Sequence, residues 1–213
     1  MQNQKENLNN QKVFIKKEDE KILVVKKNIL FQNEVINGIE KIDFEKYQNL
    51  IEKNKEFIWR SQAETDTNYK QIIPYIVYKF EDKLFVMQRR STASEVRLQN
   101  KLSLGIGGHI REEDIQSKTI FDWAKREFSE EIEFSGNFEI QPIGLLNDES
   151  NSVGQVHTGF VFLITGDSNK IKVKSELKSG ELLNFNECES VYDQMESWSQ
   201  IAFDYLNKFY IKF

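Results

Sequence analysis

Between Leu104 and Phe134 the chain reads LGIGGHIREEDIQSKTIFDWAKREFSEEIEF, a glycine-rich turn followed by an acidic amphipathic segment. Ile120, Ala124, Phe128 and Ile132 recur every fourth residue, so they line one stripe of a helix that faces a core. Glu127, Glu130 and Glu131 stand at i, i+3 and i+4. That spacing gathers three carboxylates on the C-terminal half of the helix, where the macrodipole already disfavours negative charge. Such crowding costs stability unless a cation compensates, and hard divalent cations such as Mg²⁺ take oxygen ligands. Gly105, Gly107 and Gly108 just upstream let backbone carbonyls approach where a side chain would block them.

The stretch resembles the Nudix box, whose pattern is Gly, five residues, Glu, seven residues, then Arg-Glu-apolar-x-Glu-Glu-x-Gly-apolar. Gly108 matches the first glycine, Arg126 to Glu131 match the central core, and Phe134 matches the last apolar position. Three departures stand out. Asp114 replaces the first glutamate, eleven residues rather than seven separate it from Arg126, and Glu133 stands where the family has glycine. Four extra residues are close to one helical turn, so they are expected to lengthen the helix at its start. Gly136 is expected to supply the left-handed helix cap slightly later.

At matched positions the resemblance implies that Glu130 and Glu131 are metal ligands, helped by the backbone carbonyl of Gly107. Glu127 binds metal or acts as general base. Arg126 orients a glutamate, since a guanidinium holding a carboxylate fixes its rotamer, and Asp114 accepts the same pairing. The implied fold is α+β: a Nudix-like mixed β-sheet sandwiched between helices, with a small N-terminal α/β addition. The implied activity is hydrolysis of a diphosphate linkage in a small nucleotide-like or other phosphorylated substrate with Mg²⁺ or Mn²⁺, and a homodimer is compatible with it.

Along the chain, residues 1–20 are rich in Asn, Gln and Lys and read as a disordered tail with little to bury. Residues 21–65 read as an N-terminal addition. Its ILVVKKNILF run predicts a hairpin before the turn signal Asn37-Gly38, and Asp43 is placed to cap a helix carrying Phe44, Tyr47, Leu50 and Ile51. Residues 66–213 read as the main domain. There KQIIPYIVYKF and KLFVMQRR form a hairpin, and IQPIGLLNDES and VGQVHTGFVFLIT add two more strands. Val191, Met195, Trp198, Ala202, Tyr205 and Phe209 predict a covering helix or a broken pair of helices. Phe160 and Phe162 alternate with Val161, a core pattern.

A net charge of −5 with no basic tract argues against nucleic-acid binding through phosphate neutralisation. No apolar run reaches the roughly 18–20 residues of a membrane span, and a lone cysteine, Cys188, fits a reducing, cytoplasmic location. A small anionic ligand remains compatible if a metal and local cations reverse the field. Arg89, Arg90, Arg97 and Lys101 are the candidates for phosphate contacts. His157 is a candidate substrate contact, His109 a neighbour of the site, and Asp148, Glu149 and Glu176 loop candidates for an extra ligand or base. Two readings compete: a hydrolase, and a nucleotide-sensing module that binds without turnover. The near-complete acidic core favours the hydrolase. An isomerase of isoprenoid diphosphates would want a cysteine in the pocket, which Cys188 fits poorly.

Overall fold

A computed structural model of the protein describes residues 19–32, 34, 36–89, 101–115, 119–174 and 177–210. The chain begins with β1 (Lys21–Lys26), α1 (Lys27–Phe31), β2 (Gly38–Glu40), α2 (Phe44–Asn54), β3 (Glu56–Trp59) and α3 (Arg60–Ala63). It continues through β4 (Tyr69–Phe80), β5 (Lys83–Arg89), β6 (Leu102–Ser103), β7 (Gly105–Ile106) and α4 (Ile120–Glu131). Then come β8 (Ile132–Phe134), β9 (Phe138–Asn147), β10 (His157–Gly166), β11 (Ile171–Val173), β12 (Leu177–Asn184), α5 (Phe185–Ser190) and α6 (Ser197–Phe209).

The main sheet runs β12-β5-β4-β10-β9-β2. It is mixed, because β10 pairs parallel with β4 and antiparallel with β9. Its central strands are buried on both faces, which explains the near-continuous apolar runs in β4 and β10. Alternate residues divide between two cores. Ile72, Ile76, Tyr78, Phe160 and Phe162 meet α2 and α4 through Ile51, Trp123 and Phe128. Tyr75, Val77, Val161 and Leu163 meet α5 and α6 through Phe185, Phe203 and Leu206. The sheet is therefore sandwiched between helices, an α+β Nudix-like layout.

The run at residues 22–31 is not a hairpin: β1 finds its partners in β3 and β4, and the chain turns into α1, closed by Gln32 at φ 46°. Asp43 does cap α2, accepting from the Lys46 amide at 3.0 Å. The C-terminal pattern resolves into a broken pair, with α5 and α6 separated by a 3-10 turn at Tyr192–Gln194. Phe160 and Phe162 are core, packed against Phe44 at 5.5 and 5.3 Å between ring centroids.

Candidate functional site

Strand β7 pairs with β4, Ile106 opposite Ile76, and this lays the following glycines flat on the sheet. A β-carbon on Gly107 would stand 2.4 Å from the carbonyl oxygen of Pro74, so only glycine fits. The next residues are tied to the N-terminal segment: Leu23 N–H donates to the Ile110 carbonyl at 2.8 Å. A 3-10 turn at Glu112–Ile115 follows, and Trp123 Nε1 donates to the Asp114 carbonyl at 3.2 Å.

Helix α4 starts at Ile120 behind a capping box of Thr119 and Asp122. The extra residues thus do not lengthen the helix, because Thr119 fixes its start. Its core stripe is as the sequence spacing predicts, with Ile120, Trp123, Ala124 and Phe128 buried. The end differs from expectation. Ile132 is extended at φ −121°, and the chain passes directly into β8, so no left-handed residue is needed where the family has glycine. Gly136, at φ 156°, serves the turn between β8 and β9 instead.

Glu127 shares the buried face and is 6% exposed. Arg126 Nη2 donates to Glu127 Oε1 at 2.8 Å and lies 3.2 Å from Asp114 Oδ2. Its Nη1 reaches both Glu130 oxygens at 3.4 Å. Asp114 also accepts from the Arg111 amide at 2.9 Å. Burial pushes the Glu127 carboxyl up to about 7, with Arg126 opposing and Glu131, Glu130 and Asp114 adding repulsion. For Asp114, burial acts upward, but the hydrogen bonds from Arg111 and the Arg126 charge hold the carboxyl below its ordinary value. Glu130 is exposed and Glu131 half-buried. The arrangement is one buried carboxylate aimed by an arginine, with two accessible carboxylates beside it: an oxygen donor set suited to a hard divalent cation.

The remaining candidates separate. Arg90, Arg97 and Glu176 lie outside the described residues, and for Arg89 only its backbone place at the end of β5 is described. Lys101 is exposed and borders a cavity of about 410 Å³ between Asn151–Val153 and the start of α6. Asp148 is occupied locally by Ser150 and Asn151. Glu149 is committed to Lys27 at 2.6 Å and Lys70 at 2.7 Å. Cys188 is buried, and burial pushes its thiol up to about 12, so it is inert.

His157 and His109 come together, Nε2 to Nε2 at 3.3 Å. Among the described residues, the His, Cys, Asp and Glu side chains whose ligand atoms already converge within 4.8 Å of one another are Glu64, His109 and His157. Sequence reasoning missed Glu64 and the adjoining Gln71. The parallel β4–β10 register sets Gln71 opposite His157, the turn after α3 brings Glu64 to 3.9 Å from it, and no local spacing signals either.

No helix among the described residues is long and apolar enough to cross a membrane. No family model matches the chain. Protein YmaB of Bacillus subtilis strain 168 is 34% identical over 206 residues, spanning 89% of this chain and 98% of YmaB. The crystal structure of Tm1382, described among the Nudix hydrolases, superposes with a TM-score of 0.75 at 33% identity, over 89% of this chain and 100% of Tm1382. The Nudix domain of Shewanella oneidensis NrtR, solved with ADP ribose, matches with a TM-score of 0.50 at 11% identity, over 65% of this chain and 86% of that domain. This last likeness shows the fold alone.

Proposed function

The chain belongs to the Nudix hydrolase superfamily, and on that premise we propose that it is a Mg²⁺- or Mn²⁺-dependent hydrolase cleaving the diphosphate linkage of a small, nucleotide-like or otherwise phosphorylated substrate. The observation that carries this reading is the position of Glu127, buried against Gly108 and held by Arg126. A protein with no use for that carboxylate gains nothing by burying it among Glu130, Glu131 and Asp114.

The residues present fit a divalent ion. All the acidic donors are oxygens, the space at Gly108 lacks the β-carbon that would crowd them, and the three glutamates repel one another on α4. Glu130 and Glu131, with the Gly107 carbonyl, would hold the ion. When bound, it supplies neutralisation of diphosphate charge and a lowered pKa for a bound water.

The chain's own residues do the rest. Glu127, with its carboxyl near neutrality, takes the proton of the attacking water, a role that favours a base whose pKa lies close to the working pH. The water oxygen forms the new bond to phosphorus, and the bridging P–O bond breaks with its electron pair leaving on the departing phosphate. Arg126 keeps Glu127 on its rotamer, and Asp114 keeps Arg126 in place. Arg89, Arg90, Arg97 and Lys101 are proposed to meet the phosphates, and the cytoplasm is the proposed site of action.

The test is a panel of nucleoside triphosphates, ADP-ribose, dinucleotide polyphosphates, CoA and sugar nucleotides, assayed with Mg²⁺ for wild type and Glu130→Gln. ADP-ribose belongs in it because the NrtR Nudix domain binds it. Turnover of one compound, lost in the variant, supports the hydrolase and names the substrate class. No turnover, with ligands still raising the melting temperature, would establish a binding module instead.

A further inference from the structure

We propose that Glu64, His109 and His157 form a second metal site, for a borderline transition ion of the Zn²⁺ class, chemically distinct from the all-oxygen acids of α4. The two imidazole Nε2 atoms are 3.3 Å apart. Two nitrogens bound tetrahedrally to one Zn²⁺ at their usual bond lengths stand about 3.3 Å apart. Glu64 Oε1 lies 3.9 Å from His157 Nε2, which leaves a small side-chain adjustment to close the third bond. Two imidazoles and a carboxylate suit Zn²⁺, Co²⁺, Ni²⁺ or Fe²⁺ far better than Mg²⁺.

The surroundings prepare the His157 ring. His157 Nδ1 lies 2.8 Å from the Val153 carbonyl, an acceptor only, so Nδ1 carries the proton and Nε2 of the neutral ring presents a lone pair. That backbone bond is the outer contact that fixes metal-binding histidines in tautomer and orientation. Gln71 is fully buried and its Oε1 accepts from His109 Nε2 at 2.7 Å, so without an ion His109 carries its proton on Nε2 and metal binding must displace it, while Gln71 Nε2 has no hydrogen-bond partner. Glu64 is steadied by Arg60, whose Nε lies 3.6 Å from Oε1.

Three protein ligands leave a coordination position open, as in catalytic zinc centres. The ligands also come from three separate segments: the turn after α3, the glycine loop and the start of β10. An ion there ties the N-terminal segment to the loop that carries Gly107 and Gly108, and so braces the wall against which Glu127 packs. The inference does not depend on diphosphate chemistry, since it rests on the donor geometry alone.

The chain contains only two histidines, which makes the test direct. Tag-free, chelator-treated full-length protein, ¹⁵N-labelled at histidine, is titrated with Zn²⁺ alone. Both Nε2 resonances should shift with one equivalent, the His157 Nδ1 should keep its proton, and His109 should change tautomer. Co²⁺ in place of Zn²⁺ should give the intense visible bands of a four- or five-coordinate centre. Those bands should survive Glu130→Gln, and His157→Gln or Glu64→Gln should weaken Co²⁺ binding at least tenfold. Melting of the metal-free variants checks that they are folded, and the wild-type spectra need no variant. Unmoved imidazole resonances, or bands lost in Glu130→Gln and kept in His157→Gln, would overturn the proposal and leave α4 as the metal site. Neither result bears on whether a diphosphate is hydrolysed.

Discussion

A β-carbon on Gly108 would stand 2.4 Å from Glu127 Oε2, so the glycine and the carboxylate fill adjoining parts of one space. The obstructed atom is the tip of a side chain, and the fold can survive an added methyl. The carboxylate cannot stay where Arg126 holds it. Gly108→Ala should therefore cost no more than about 1 kcal/mol of stability while lowering kcat about 100-fold, the scale of a small misplacement at a reacting centre. Unchanged kcat in a folded variant would remove Glu127 from the chemistry.

Glu127 also links function to pH-dependent stability. Burial raises its carboxyl from 4.5 to about 7, so the native state binds that proton more tightly than the unfolded chain. Its contribution is fully present below about pH 4.5 and is lost as pH rises through about 7, at most about 3 kcal/mol. In chelator, Glu127→Gln should match wild type near pH 4 and exceed it at pH 8 by denaturant unfolding. An equal difference at both values would show that the charge of Glu127 is not the cause.

The sequence was most legible where its signals are local. The stripe Ile120, Ala124 and Phe128 follows from helical period alone and α4 has it, but Glu127 lies on the same buried face rather than one face away. The pairing of Asp114 with Arg126, 3.2 Å apart, was also readable despite the longer spacing. Long-range pairing left no such trace. Nothing in ILVVKKNILF says that its first half pairs with β4 rather than its second half, and nothing near His157 announces Gln71 or Glu64. Parallel register between strands some 85 residues apart is set by the whole sheet, as His157 opposite Gln71 shows.

Asp114 holds Arg126 and the Arg111 amide together, and Arg126 Nε is buried with no partner. Removing the carboxylate leaves the guanidinium with less to fix it, so Glu127 loses its aim as well. Asp114→Ala should lower kcat about tenfold with KM little changed and cost about 1–3 kcal/mol in stability. Asp114→Glu, which restores a carboxylate on a longer arm, should recover most of kcat. A loss confined to KM would assign Asp114 to substrate binding.

Lys70 is fully buried, and its ammonium donates to Glu149 Oε1 and the Gly154 carbonyl, each at 2.7 Å. Burial works to raise the Glu149 carboxyl, but hydrogen bonds from Lys27, Lys70 and Asn147 bring it down to about 2. Its stabilisation is therefore present above the ordinary carboxylate value of 4.5 and is lost as pH falls through about 2. Glu149→Gln leaves a buried ammonium short of its counter-charge and should cost about 2–3 kcal/mol at pH 7, the lower part of the range for a broken buried pair because Glu149 is partly solvated. That penalty should shrink toward zero as urea unfolding is repeated down to pH 2. The double change Lys70→Met with Glu149→Leu removes both charges and should restore stability at pH 7, since an apolar pair of similar volume avoids the desolvation cost. A penalty independent of pH would mean that Glu149 acts through packing. The Gly154 carbonyl sits next to Val153, whose carbonyl orients His157. Loosening Lys70 should thus also weaken Zn²⁺ binding, an effect the apolar double variant should not repair.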